Sequence, residues 1–172
     1  WSCFAAYFGY GAFDPLESLY YRDVLSVGVE WMGWLSSAAG LGGIVGSLVV
    51  LRLPTRHVNV RTLLAVLASE GIFALVYVGT PSVAVACVGQ VLLGVAFGAL
   101  MPLLTTLTQM HAPLEVLGSV NAAMSFGNNM AGVIPLLCAP QLARVLGVQG
   151  TLVAASLLVF LMPLAVGLVR RR

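Results

Sequence analysis

Six long apolar runs, separated by short connections, constrain the fold of this chain more than any other feature. A helix needs about 20 predominantly apolar residues to cross the hydrocarbon core of a bilayer. The runs have that length and cover residues 4–21, 31–53, 62–79, 82–106, 117–142 and 149–169. Because the connections are short, consecutive helices must run antiparallel. The sequence therefore predicts an all-α membrane protein built as a six-transmembrane-helix bundle, embedded in the lipid bilayer.

The composition excludes the classes of protein that need a large water-exposed surface. Only 8% of the 172 residues are charged and 60% are hydrophobic, whereas soluble domains carry roughly 25% charged residues. A soluble enzyme, a nucleic-acid-binding protein and a disordered segment are therefore excluded. Cys3, Cys87 and Cys138 are isolated in apolar runs, and His57 and His111 lie at the level of the connections. We expect no metal site, no cofactor, no catalytic residues and no enzymatic activity.

The distribution of the arginines predicts the orientation in the membrane. One side of the predicted bundle collects six of the eight arginines, which are Arg52, Arg56, Arg61 and the C-terminal run 170–172. The other side holds Arg22 and Arg144. Basic residues are enriched in short cytoplasmic loops. We therefore expect an integral protein of the cell (inner) membrane, with both termini of this segment in the cytoplasm.

Small residues recur at helical spacing in two of the runs. In the second run, Ala38, Gly42 and Gly46 follow one another every four residues, and the fourth run repeats the pattern with Gly94 and Gly98. Small residues let the backbones of two membrane helices approach closely. The pattern predicts that these faces contact other helices.

Two carboxylates in the first run indicate a functional site. Asp14 and Glu17 are spaced i,i+3 on one face, and Tyr21 lies on the same side. If the helix leaves the membrane near Arg22, Asp14 lies about 12 Å below that boundary. Ionisable groups at such depth are costly and usually functional, and Pro15 interrupts the helical hydrogen bonding beside them. The alternative is that Glu17 only reaches the headgroups or pairs with Arg22.

Polar side chains in three other runs leave two interpretations open. Glu70 lies near the middle of the third run, where it could carry protons or form a neutral hydrogen bond between helices. Asn121, Ser125 and Asn128 form a stripe on the fifth run, and Gln90 lies in the fourth. These uncharged groups could line a cavity or only connect helices.

Several segments resemble one known family. The run DPLESLYYRDVL followed by GLGGIVGSLV resembles the seventh and eighth helices of major facilitator superfamily transporters, with the closest likeness to the macrolide-type drug-efflux branch. LLGVAFGALMPLLTTLTQMHAP is similar to the tenth helix and its loop, and GSVNAAMSFGNNMAGVIPLL to the eleventh. The closing LVRRR is similar to the end of the twelfth. The likeness covers residues 1–172 as the C-terminal half of a twelve-helix protein, and we expect the N-terminal six-helix half to be missing.

The resemblance implies a secondary active transporter that exports small amphipathic compounds, neutral or cationic, in exchange for protons. In this family the first and fourth helices of each half line the path, and the second and fifth flank it. The substrate and proton pathway would then include Asp14, Glu17, Tyr21, Gln90, Asn121, Ser125 and Asn128. Glu70 would lie on a peripheral helix and have a structural role.

The resemblance also assigns a cytoplasmic gating loop to the connection RLPTRHVNVR. Arg52, Arg56 and Arg61 match the basic residues of that loop, but the acidic residue typical of the family is absent. Two alternatives to a half-transporter remain open. One is a non-transporting membrane scaffold, in which the glycines and asparagines serve assembly alone, and the other is a six-helix subunit of a homodimeric transporter.

Overall fold

Every regular element in the described part of the chain is helical. The computed structural model describes residues 16–28, 30–111, 113, 115 and 117–169. The chain is helical over residues 16–23 (α1), and the further α-helices are Glu30–Leu51 (α2), Val60–Val78 (α3), Val83–His111 (α4) and Leu117–Val169 (α5). A short 3₁₀ helix, Thr55–His57, lies between α2 and α3. The predicted all-helical class is confirmed.

Four stretches within the described residues are long and apolar enough to cross a membrane. They are Glu30–Leu51, Val60–Val78, Val83–Met110 and Pro140–Gly167. The first three correspond to the predicted runs 31–53, 62–79 and 82–106. The polar connection between α2 and α3 also defines where α3 begins. The Asn59 side chain caps the N-terminus of α3 by accepting a hydrogen bond from the Thr62 amide at 3.0 Å.

The long helix α5 is divided at Gly147. This residue has φ 75° and ψ 163°, a backbone conformation that is open to glycine and strained for residues with a Cβ. Residues 117–146 and 148–169 therefore form two helical segments, which we call the first and second segments of α5. The break lies within the connection ARVLGV, which the sequence placed between its fifth and sixth runs.

The contact between α2 and α4 is built from glycines. A methyl group on any of four residues would overlap a backbone carbonyl oxygen of the facing helix, and these are Gly42, Gly46, Gly94 and Gly98. The predicted close packing of both stripes is thereby confirmed. The two helices run parallel, as alternate spans of an up-down bundle must.

Helix α3 packs between α4 and the second segment of α5. At Gly71 an added methyl group would overlap the backbone of Phe160, and at Gly89 of α4 it would overlap the backbone of Tyr77. One apolar cluster fills the space between α3 and α4 at the end near the 52–59 connection, and it contains Leu63, Leu67, Leu100, Leu103 and Leu107. A second cluster surrounds tyrosines at the opposite end.

Candidate functional site

Three helices meet at the carboxylate of Glu17. Its Oε1 accepts hydrogen bonds from the Tyr21 hydroxyl at 2.8 Å, from Gln90 Nε2 at 3.0 Å and from the Tyr77 hydroxyl at 3.2 Å. Glu17 and Tyr21 belong to α1, Tyr77 to the last turn of α3, and Gln90 to α4. We call these four residues the Glu17 cluster. It unites three of the residues that the sequence predicted for the pathway, Glu17, Tyr21 and Gln90.

The cluster is shielded from the surface and internally bonded. Tyr77 and Tyr21 are 1% and 2% exposed, Gln90 is 8% exposed, and Glu17 is half-buried. The Tyr77 hydroxyl shares its single hydrogen between Glu17 Oε1 and the Tyr21 oxygen, which is the nearer acceptor at 2.9 Å, and Gln90 Nε2 approaches the Tyr21 oxygen at 3.4 Å. An ionised carboxylate only accepts hydrogen bonds, so a set of donors that converges on one oxygen suits a charged Glu17.

Local sequence features explain how these side chains meet. Glu17 and Tyr21 are four residues apart, so they lie on the same face of α1. Gly89 has no side chain, which lets α4 approach the backbone of α3 at Tyr77. The neighbouring residue, Gln90, thereby comes within reach of both tyrosine hydroxyls and the carboxylate.

The end of α3 ties the cluster to the surrounding helices. The last carbonyl groups of a helix have no partner within that helix. The Tyr20 hydroxyl donates to the Tyr77 carbonyl at 2.9 Å and lies 3.3 Å from that of Thr80, and Gln149 Nε2 donates to the Val78 carbonyl at 2.9 Å. Both α1 and the second segment of α5 are therefore attached to the end of α3.

The cluster lies toward one end of the bundle. Gln90 is seven residues along α4 from Val83, which corresponds to about 10 Å at 1.5 Å per residue. The hydrocarbon core is about 30 Å thick. The cluster is therefore about a third of the way into the bundle from the 79–82 connection.

An open groove between α2 and α4 lies in the other half of the bundle. Its volume is about 880 Å³, and its lining contains the apolar side chains of Phe97 and Met101 together with three hydroxyl groups, from Ser47, Thr105 and Thr106. Among the described residues, no ionisable side chain lines it. Its size lies within the range of small-molecule sites, roughly 300–1,000 Å³.

The three hydroxyl groups in the groove already donate their hydrogens to backbone carbonyl oxygens. Thr105 donates to Met101 at 2.9 Å and Thr106 to Pro102 at 2.8 Å. The Ser47 hydroxyl is shared between the carbonyl oxygens of Gly43 at 2.9 Å and of Gly98 on the facing helix at 3.0 Å. The hydroxyl oxygens therefore offer hydrogen-bond acceptors to the groove.

Pro102 explains why Ser47 bonds across to the facing helix. In a regular helix the carbonyl of Gly98 would accept from the amide of residue 102, but proline has no N–H. Ser47 of α2 donates to this carbonyl. This hydrogen bond connects α2 and α4 in addition to the glycine contact between them.

The other two acidic residues singled out in the sequence, Asp14 and Glu70, are not part of the Glu17 cluster as described. Asp14, which the sequence predicted for the pathway, lies outside the described residues. Glu70 is 1% exposed and lies in the middle of α3, away from the Glu17 cluster. Arg22, offered above as an alternative partner of Glu17, pairs instead with Asp23 at 2.7 Å. The hydrogen bond from this guanidinium holds the pKa of Asp23 below its usual range, although both side chains are exposed.

The remaining predicted residues lie elsewhere. Asn121 and Ser125 are exposed on the first segment of α5, and nothing in the described contacts brings them to the Glu17 cluster. The side chain of Asn128 is outside what the structure describes. The predicted gating arginines, Arg52, Arg56 and Arg61, are exposed around the connection between α2 and α3.

Sequence reasoning missed Tyr77, although a signal for it was present. Tyr20 and Tyr21 close the first predicted run, and Tyr77 lies two residues before the end of the third. In an up-down bundle the ends of the first and third helices lie on the same side. Three tyrosines at that level could have been predicted to be neighbours, and the structure places the Tyr20 and Tyr77 rings edge to face at 5.3 Å.

Comparisons with known proteins give a family for the whole chain and a curated relative for most of it. A family model described as Major Facilitator Superfamily matches residues 1–172. The chain is 28% identical over 152 residues to the "Multidrug efflux pump Tap" of Mycolicibacterium fortuitum. The match includes 86% of this chain and 36% of that protein, so the chain spans about a third of the length of this curated relative. No solved structure matches.

Proposed function

This chain belongs to the major facilitator superfamily, and we propose that it forms the C-terminal six-helix half of a secondary active transporter in the cell membrane. Its function would be the export of small amphipathic compounds, neutral or cationic, in exchange for protons. The proposal is supported by the efflux pump to which the chain is similar. The break at Gly147 would divide α5 into the fifth and sixth spans, and α1 would belong to the first.

The observation that carries the proposal is the carboxylate of Glu17, held by donors from α1, α3 and α4. An ionisable group between membrane helices is costly and therefore indicates function. A structural contact alone would not need a charge there, because the surrounding tyrosine and glutamine side chains can hydrogen-bond one another.

The proposed mechanism is a competition at the carboxylates of the first helix. A carboxylate can bind a proton or the positively charged group of a substrate, but not both. Proton entry then displaces the substrate while the two halves of the transporter rock about a central site. Asp14, three residues before Glu17 in the sequence, would take part in the same exchange. In the described residues no basic side chain contacts the Glu17 cluster, which favours neutral and cationic substrates over anions.

The groove between α2 and α4 would hold the apolar part of the substrate. Phe97 and Met101 offer an apolar surface, and the oxygens of Ser47, Thr105 and Thr106 offer acceptors. We place the groove toward the cytoplasm and the Glu17 cluster toward the outside, on the basis of the arginines of the 52–61 connection.

The test is the substitution Glu17→Gln in the intact transporter reconstituted into vesicles. Flux of tetraphenylphosphonium, a lipophilic cation, is measured with and without an imposed pH gradient. We expect gradient-driven flux to fall by about tenfold or more, the order of one interaction with a charged group. Glu30→Gln is the matched control, because Glu30 is an exposed acid at the start of α2.

Two results would contradict the proposal. Wild-type flux in Glu17→Gln would remove this carboxylate from the coupling mechanism. Folded wild-type protein that moves no probe under any gradient would favour the non-transporting scaffold instead.

A further inference from the structure

We infer that Tyr77 is a positioning residue for the Glu17 carboxylate. Together with Tyr21 and Gln90 it holds Oε1, and it thereby leaves Oε2 as the oxygen that exchanges protons or cationic groups. The exchange of protons or cationic groups at Oε2 rests on the proposed function. The positioning of the carboxylate is a property of the Glu17 cluster, and it can be measured without a substrate.

The hydrogen bonds that the described residues make to Glu17 all end on the same oxygen. Tyr21 and Gln90 donate to Oε1 at 2.8 and 3.0 Å, and Tyr77 shares its hydroxyl hydrogen between Oε1, at 3.2 Å, and the Tyr21 oxygen. A carboxylate offers about four lone-pair sites on its two oxygens. An oxygen that three donor groups already surround is a poor site for a further ligand, so exchange belongs to Oε2.

Tyr77 is the donor best suited to fix the carboxylate relative to the bundle. Tyr21 lies on the same helix as Glu17 and moves with it, and the Gln90 side chain has more rotatable bonds than a tyrosine. Tyr77 comes from a different helix, and its hydroxyl contacts both Glu17 and Tyr21. Its ring packs against that of Tyr20, and its carbonyl accepts the Tyr20 hydroxyl.

The chain contains a matched control for this hydroxyl. Tyr20 is as deeply buried as Tyr77, and its hydroxyl is also hydrogen-bonded, but to the carbonyls of Tyr77 and Thr80 and not to Glu17. Replacing either tyrosine by phenylalanine keeps the ring and removes one bonded hydroxyl. The two variants should therefore lose similar stability, and only Tyr77→Phe should disturb Glu17.

The first measurement is infrared difference spectroscopy of the purified intact protein across pH. The carboxylic acid band that disappears in Glu17→Gln belongs to Glu17. Its frequency depends on the hydrogen bonds of the group, so we expect it to move in Tyr77→Phe and to stay in place in Tyr20→Phe. An unmoved band in Tyr77→Phe, or equal movement in both variants, would overturn the inference.

The second measurement is transport of tetraphenylphosphonium by the same variants in vesicles. We expect Tyr77→Phe to raise the KM by about tenfold, the order of one hydrogen bond to a charged group, with a smaller effect on the maximal rate. The pH profile of transport should change in Tyr77→Phe and stay in place in Tyr20→Phe. Among the described residues, the titratable groups that contact Glu17 are the phenols of Tyr21 and Tyr77.

A double-mutant cycle separates positioning from general damage. In the Glu17→Gln background, Tyr77→Phe should change the KM and pH profile no further, since the group that it positions is gone. Loss of folded protein in Tyr77→Phe alone would assign the hydroxyl a structural role and overturn the inference. A shifted infrared band in a protein without any flux would support the positioning and refute the proposed function.

Discussion

The glycine contact between α2 and α4 predicts that a larger residue at this contact lowers the stability of the folded protein. A methyl group on Gly46 would overlap the carbonyl oxygen of Val95, whereas one on Gly40 of the same helix has no atom within 4 Å. We therefore predict that Gly46→Ala destabilises the folded protein and that Gly40→Ala does not. The pair compares the same chemical change at two positions of one helix.

The size of the effect follows from the geometry. Ordinary contact at a Cβ begins at 3.4 Å, so α2 and α4 must separate by about 1.4 Å at Gly46, and a gap of that size forfeits about half of the contact attraction or more. Overpacking of this kind costs about 1–3 kcal/mol. Stretching the Ser47–Gly98 bond, now 3.0 Å, adds about 0.6 kcal/mol. The higher helix propensity of alanine relative to glycine reduces this total cost by up to about 1 kcal/mol.

With the full alanine offset, the net prediction is a loss of about 0.6–2.6 kcal/mol in the free energy of unfolding for Gly46→Ala and no loss for Gly40→Ala. The assay is denaturant unfolding of the intact protein in detergent micelles, followed by tryptophan fluorescence. Gly46→Leu, with a larger side chain at the same contact, should lower the yield of folded protein further. A Gly46→Ala protein as stable as wild type, or an equal loss in Gly40→Ala, would refute the assignment of this contact.

Three further predictions concern coupling, orientation and packing. Asp14→Asn should abolish gradient-driven flux in vesicles while membrane insertion and folded yield stay normal; undiminished flux would exclude Asp14 from the mechanism. A single cysteine at Arg144 should react with an impermeant thiol reagent in intact cells, and one at Arg56 should not, because the arginine-rich side is predicted to be cytoplasmic; the reverse pattern would invert the topology. Ser47→Ala should reduce the free energy of unfolding by about 0.6–1.7 kcal/mol, since it removes the hydroxyl that bonds Gly98 across the contact; an unchanged value would show that the carbonyl is satisfied in another way.

Much of the helical structure could be predicted because membrane insertion is decided locally. A run such as 31–53 must be helical in lipid, whatever surrounds it, since each backbone polar group needs a partner within the segment. The helix Glu30–Leu51 and the break at Gly147 follow from such local rules. The spacing of Gly42 and Gly46 likewise predicted a close helix contact, although it did not identify α4 as the partner.

The Glu17 cluster could be predicted only in part. The i,i+3 spacing of acids in the first run indicated that Glu17 is functional, and the resemblance placed Gln90 on the same route. Tyr77 was not predicted, because it is 60 residues from Glu17 on a helix that the resemblance made peripheral.

The sequence by itself determined which segments are helices, which of their faces carry small residues and which carry carboxylates. These properties depend on hydrophobic length and on the 3.6-residue period, and both act within a single segment. The tertiary structure decided how each helix is rotated and shifted against its neighbours. That register depends on backbone contacts such as the one between Gly89 and Tyr77, and a displacement of about one residue, 1.5 Å along the axis, would carry the Tyr77 hydroxyl out of hydrogen-bonding distance of Glu17. The site exists because contacts between helices hold three donors around one carboxylate oxygen.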